Sequence, residues 1–199
     1  LHPALSRIRP MTGTPLPTAA MILGALLHLP VPGDGVRSPG EAAAIMGPIL
    51  ALHRNNSEQW DREDDARRGE ADDARVAAAK RDIDKLNGAR HALIEAIDRA
   101  VAGAVDPGRG APLVTESPGM AIDRLSVLVI RLASTESAAA SGTPDADVYA
   151  ERLPRLRKQL HSLEAAIGTL LDDLSSGARR FLAHDSLKLY GPEDPGRVG

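Results

Sequence analysis

The sequence predicts an all-α protein, an antiparallel bundle of about five helices with a loose N-terminal arm and a frayed C-terminal tail. Three observations carry this. Hydrophobic residues make up 43% of the 199 but aromatics only 2%, so the interior must be built from Leu, Ile, Val and Ala, which suit close-packed helices better than a sheet. Apolar positions recur at three-four spacing over long stretches, the period of one helix face. No segment alternates as a half-buried strand does, and no repeat or second domain is visible. A chain of this length can bury about 70% of its unfolded surface, enough for a real core.

The elements follow in order. Residues 1–17 hold Pro3, Pro10, Pro15 and Pro17 without periodicity and read as an arm. The first helix runs from Thr18, an N-cap type, to about Leu29. That apolar run follows Arg7 and Arg9, but it is shorter than the roughly 20 residues a membrane span needs. No small-x-small cleavage site follows it, so it reads as a buried amphipathic helix rather than a signal peptide.

Ser38, Pro39 and Glu41 form a capping-box pattern that starts the second helix near residue 39. It continues to Arg68 with a bend at Pro48, and Gly69 closes it. Asp72 or Asp73 caps a third helix extending to about Ala104. Its seam is Val76, Ala79, Ile83, Leu86, Leu93, Ile97 and Val101, with Arg90 where an apolar residue is due.

Val105 to Pro118 loops. The fourth helix, from Pro118 to about Ala133, is apolar nearly all round through Leu125, Val127, Leu128, Val129, Ile130 and Leu132, and is therefore central. Ser134 to Thr143 reads as a loop. The fifth helix begins at Asp145 or Pro154 and ends at Gly177, with the cleanest seam of the chain: Leu153, Leu156, Leu160, Leu163, Ile167, Leu170 and Leu174. Such a seam specifies an antiparallel partner helix or a second subunit. The tail from Ala178 is read as a short helix to Tyr190. The organisation is therefore an arm (1–17), one helical domain (18–190) and a tail (191–199).

Composition also excludes functions. A net charge of −3 gives no general attraction to nucleic acid or anionic lipid, and so few aromatics cannot build a base-stacking platform. With no cysteine, disulfides, thiolate metal sites and cysteine nucleophiles are excluded, in keeping with a cytoplasmic location. No Walker loop, dinucleotide-binding glycine pattern or nucleophilic serine motif is present.

The most informative chemistry lies on the second helix. At 100° per residue, Ile45, Ile49, His53, Asn56, Trp60, Glu63, Asp64 and Arg67 share one face, which begins as core and ends in ionisable groups around the only tryptophan. A polar group on a buried stripe must be paired or put to use. The commonplace account is a solvated helix end with i, i+4 ion pairs. Asp61, Arg62, Asp65 and Arg68 already supply the outer charges, however.

On the third helix, Lys80, Asp84, Asn87, His91, Glu95 and Asp98 form a polar strip that water exposure explains, whereas Arg90 in the seam needs a carboxylate. Glu63, Asp64 and Asp123 are its candidates. Asp123 and Ser126 sit on a helix with no evident solvent face and are predicted to point inward. A structural bridge to Arg90 or Arg124 and a role in chemistry fit Asp123 equally. Thr115, Glu116, Ser117, Pro118 and Gly119 combine capping residues with a turn, and capping is their default role. His184 with Asp185, and Asp61 with Asp65, are weaker metal candidates because the remaining ligands lack a pattern.

The blocks Trp60, Glu63, Asp64, Ala66, Arg67; Lys80, Ile83, Asp84, Leu86, Asn87, Arg90, Ile94, Ile97, Asp98; and Thr115, Glu116, Pro118, Gly119, Ile122, Asp123, Arg124, Leu125, Ser126 resemble a bacterial family. It is the domain-of-unknown-function family four-two-five-four. Asp173, Gly177, Phe181, Lys188 and Tyr190 resemble its C-terminal pattern. The resemblance implies a helical fold and, from the company some members keep with glycosyl-transfer genes, sugar-phosphate or nucleotide-sugar chemistry in cell-surface polysaccharide metabolism. The chain departs from the family pattern at Ser57, Gln59, Gly88, His91 and Gly191.

Two functions are expected in competition. In the first, a site between the second, third and fourth helices binds or processes a phosphorylated small molecule. Glu63, Asp64 and Asp123 act there as acid and base or hold a divalent cation such as magnesium. Arg67, Arg90, Arg124 and Lys188 neutralise the phosphate, with Trp60, Asn87, Glu116 and Tyr190 as further binding residues. In the second, the ionic network only fixes helix register and the 153–174 seam forms a homodimer or receives a partner.

Overall fold

The computed structural model describes residues 15–28, 42–68 and 73–185, and among these the chain is five helices. They are α1 (Ala19–Leu27), α2 (Ala42–Arg68), α3 (Asp73–Ala104), α4 (Pro118–Ala139) and α5 (Ala146–Ser175). The expectations for the arm before residue 15, the capping box at Ser38–Glu41, Gly69 and the tail beyond 185 lie outside the described residues.

Two caps form as their residue types dictate. The Thr18 side chain accepts from the Met21 amide, and the Ser117 side chain accepts from the Met120 amide with Pro118 at the first helical position. Each satisfies an amide that the helix itself cannot.

Helix α4 is the hub, touching all four other helices. Ile122 and Leu125 of α4 meet Ile49 and Leu52 of α2, Ile97 of α3 and Leu174 of α5 in the core, all of them fully buried. Burying each such side chain contributes about 1.5–3 kcal/mol. The fifth-helix seam is turned inward: Leu160, Ile167 and Leu174 are core, and Leu153, Leu156, Leu163 and Leu170 pack against it. Among the described residues, no helix is long and apolar enough to cross a membrane.

Three features differ from expectation. Helix α4 continues to Ala139, because alanines at 138 and 139 favour helix and no glycine intervenes before Gly142, which turns the chain at φ 68°. Helix α4 also has a solvent side, since Arg124 and Arg131 are exposed.

The third difference follows α5. Residues 178–185 form no helix; Arg180 instead makes an isolated parallel bridge with Leu113. Its amide donates to the Pro112 carbonyl (3.1 Å) and its carbonyl accepts from Val114 (2.9 Å), so the backbone groups a helix would use are already engaged. The Gly108 amide also donates to the Gly177 carbonyl at 3.2 Å, where Gly177 takes φ 72° to end α5. The Arg180 Nε donates to the Ala111 carbonyl at 2.8 Å.

Candidate functional site

The stripe on α2 grades from apolar to polar while remaining inside the bundle. Ile45 and Ile49 are followed by His53 and Asn56, only 7% and 5% exposed, and then by half-buried Trp60, Glu63 and Asp64. Opposite them, α4 presents Asp123 and Ser126, 5% and 1% exposed, pointing inward as expected. Arg90 comes from α3. Three helices thus bring one connected polar network together at the edge of the core.

Its hydrogen bonds run in sequence. Arg90 grips Asp123 with two donors, Nε to Oδ1 at 2.8 Å and Nη2 to Oδ2 at 2.5 Å. Asn56 Nδ2 donates to Asp123 Oδ1 at 3.0 Å and to Ser126 Oγ at 3.1 Å. Ser126 Oγ lies 2.9 Å from His53 Nδ1. Because Asn56 Nδ2 already donates to the serine oxygen, the Ser126 hydroxyl is left to donate to an unprotonated His53 Nδ1, while Asn56 Oδ1 is buried with no partner among the described residues. The bidentate geometry is the strong form of a carboxylate–guanidinium contact.

Hydrogen bonding to Asp123, reinforced by the charges of Asp123 and Glu63, raises Arg90 above its ordinary pKa in spite of burial. Burial lowers the pKa of His53 by disfavouring the imidazolium form. Above about pH 6.5 the ring is neutral in both states, and as pH falls from there towards the lowered folded value the unfolded chain takes the proton first. Acidification below about pH 6.5 is therefore expected to lower the melting temperature through His53, with no further loss once the folded ring is itself protonated. His53→Gln should flatten this part of a melting-temperature profile against pH, and an unchanged slope would show that the ring is not held neutral.

The other candidates are distributed around this network. Glu63 accepts from Gln59 Nε2 at 3.1 Å and is near enough to Arg90 to act on its charge. Glu116 is occupied by Arg124, 2.7 Å away, so the alternative bridge from Asp123 to Arg124 is not made. Asp64 and Trp60 line a cavity towards the α4–α5 turn. Asn87 is half-buried on α3. The side chain of Arg67, and Lys188 and Tyr190, lie outside the described residues. Among the described residues no three His, Asp or Glu side chains are placed to hold a metal ion. His184 instead sets its Nε2 2.9 Å from His91 Nδ1, with the two rings stacked.

Asp98 is a correction to the strip read as solvated on α3. It is fully buried, accepting from the Gly119 amide at 2.7 Å and the His184 amide at 2.8 Å. Its signal was present in the sequence: it directly follows the core residue Ile97 and lies one residue off the Ile94–Val101 line.

Beyond Arg90 the network opens into a cavity of about 870 Å³ between α3, α4 and α5. Arg90, Arg124, Arg131, Arg155 and Lys158 line it, with Gln159 and Ser162 and no carboxylate. Arg131, Arg155 and Lys158 went unremarked in the sequence because each looks like an ordinary exposed helix charge. Their convergence depends on how α4 and α5 are rotated against one another, which spacing alone does not state. The cavity also lies on α5, whereas the sequence pointed to the second, third and fourth helices.

Neither the curated proteins nor the solved structures contain a match to this chain. A family model does match, over residues 48–182. The match takes in most of α2, the whole of α3, α4 and α5, the polar network and all five cavity cations, and leaves out α1. The chain belongs to the family described as Protein of unknown function (DUF4254).

Proposed function

We propose that this chain binds a phosphorylated small molecule, a phosphorylated sugar or nucleotide-sugar, in the cavity between α3, α4 and α5, with cell-surface polysaccharide metabolism as the setting suggested by the family resemblance. One observation carries the reading. Five cationic side chains from three helices line a single concavity that holds no carboxylate, in a chain whose net charge is −3. Guanidinium forks match phosphate oxygens in pairs, and a concentration of one charge sign in a cleft raises the local concentration of its counter-ion.

The buried network supports this by preparing Arg90. Asp123 fixes the guanidinium plane, while Asn56, Ser126 and His53 fix Asp123, so that Arg90 meets a ligand already oriented. Asp123 is in this reading a positioning residue. Both its oxygens face protein donors.

Thermal melting with glucose 1-phosphate, UDP-glucose, inorganic diphosphate and glucose tests the reading. A phosphorylated ligand at 100 times its Kd adds about 2.7 kcal/mol, which raises Tm by about 5–10 °C in a chain of this size. Glucose should give no shift. Arg131→Gln combined with Arg155→Gln should remove the shift without altering the unliganded Tm, since neither side chain has an ion-pair partner among the described residues. The absence of a shift from every phosphorylated compound would sink the proposal.

A further inference from the structure

We infer that the ligand is a nucleoside diphosphate or a molecule containing one, with its two linked phosphates in the cationic cavity and its ring system against Trp60 in the cavity next to it. The inference rests on the phosphate-binding reading above and specifies which phosphorylated class is bound.

The second cavity measures about 1190 Å³ and lies between the far part of α2, the end of α4 and the start of α5. It shares Arg131, Arg155 and Gln159 with the first, so the two form one trough with those three side chains at the junction. Its volume together with the 870 Å³ of the first exceeds the roughly 300–1,000 Å³ of an ordinary small-ligand site. A sugar monophosphate would leave much of this trough empty.

Charge separates the candidates further. Glu116 compensates Arg124 and Asp123 compensates Arg90, which leaves Arg131, Arg155 and Lys158 as three cations without a carboxylate partner among the described residues. A single phosphate monoester brings about −1.5 to −2, and a second linked phosphate supplies the remainder. Arg131 and Arg155 stand where the trough passes from one cavity to the other, so anions seated there direct the rest of the ligand into the second cavity.

The lining changes character there. Trp60 is half-buried, with Asp61 and Asp64 on the same turn of α2. Tyr149 already carries the Arg152 guanidinium 5.4 Å from its ring centre, which leaves Trp60 as the ring for a ligand to stack on. A flat heteroaromatic base has a face for an indole and edge N–H groups for carboxylate acceptors. Such stacking is worth about 1–3 kcal/mol per base, or roughly five- to 150-fold in affinity.

Because Trp60 is the only tryptophan, its emission reports occupancy of the second cavity directly. ADP, UDP, inorganic diphosphate and ribose 5-phosphate should be titrated calorimetrically and by fluorescence. ADP or UDP is expected to bind at least tenfold more tightly than inorganic diphosphate or ribose 5-phosphate and to change the emission, while inorganic diphosphate leaves it unchanged. Trp60→Leu should lower nucleotide affinity about tenfold and leave inorganic diphosphate binding intact, which also shows that the variant is folded. If inorganic diphosphate binds as tightly as both nucleotides, or Trp60→Leu weakens all of them equally, this inference is overturned while the phosphate-binding reading survives. If no phosphorylated compound binds, both fall.

Discussion

Asp123→Ala is expected to lower the melting temperature by on the order of 10 °C. The substitution removes the acceptor for both Arg90 donors and one acceptor of Asn56 Nδ2, leaving a partly buried cation without its carboxylate. Breaking a fully buried pair in this way costs about 3–5 kcal/mol. The Arg90 side chain is 30% exposed, so water takes up part of the loss and about 2–4 kcal/mol is the better expectation. At about 2–4 °C per kcal/mol for a chain of this size, calorimetry will resolve it easily. Asp123→Asn keeps one acceptor oxygen and should fall between wild type and the alanine variant. Combining Asp123→Ala with Arg90→Met should recover part of the loss, because the stranded charge goes too. If the double variant is as unstable as the sum of the singles, the two side chains do not act as a pair.

Gly119→Ala is the second large effect, and its sign is opposite to that of the usual glycine replacement in a helix. A Cβ at this position would stand 2.5 Å from the Ile94 carbonyl oxygen and 2.9 Å from Asp98 Oδ1. The first of these is α3 backbone and cannot swing aside. The helices must separate, which strains the Gly119–Asp98 hydrogen bond as well. Overpacking of this kind costs about 1–3 kcal/mol, and weakening a hydrogen bond to a buried carboxylate adds about 1 kcal/mol or more. Gly88→Ala provides the contrast. Gly88 lies within α3 with nothing within 4 Å of its would-be Cβ, so alanine there should stabilise by up to about 1 kcal/mol through helix propensity. Chemical denaturation of the two variants should move the midpoint in opposite directions; movement in the same direction would mean that α3 and α4 are not in this close contact.

Much of this was legible beforehand because it rests on local patterns. The apolar stripe of α2, the Ser117–Pro118 start of α4 and the α5 seam are each set by residues within a few turns of one another. The Arg90–Asp123 pair was also within reach, since a guanidinium in an apolar seam and a carboxylate on an apolar helix each require a partner. His53, Asn56 and Ser126 were placed on the right faces, but the contacts that bind them to Asp123 depend on the relative rotation of α2 and α4. The cationic cavity was legible only in part. Arg90 and Arg124 stood out as anomalies in their surroundings, whereas Arg131, Arg155 and Lys158 lie on outward positions that any soluble helix would fill with charge. Residues 178–185 read as helix in the sequence because their partner, residues 111–114, is some seventy residues earlier in the chain and supplies hydrogen bonds no local pattern announces.

That same pairing ties together regions remote in sequence. The α3–α4 connection is rich in glycine and proline and would otherwise be free to wander, yet Gly108, Ala111, Pro112 and Val114 are each bonded to Gly177 or Arg180, and the two carboxylate oxygens of Asp98 reach the amides of Gly119 and His184. The connection and the segment from Gly177 to His184 are therefore expected to exchange their amide hydrogens together, as one cooperative unit. The first turn of α4 is thereby anchored to the segment after α5, and Asp123 and Arg124 project from the turn that follows it.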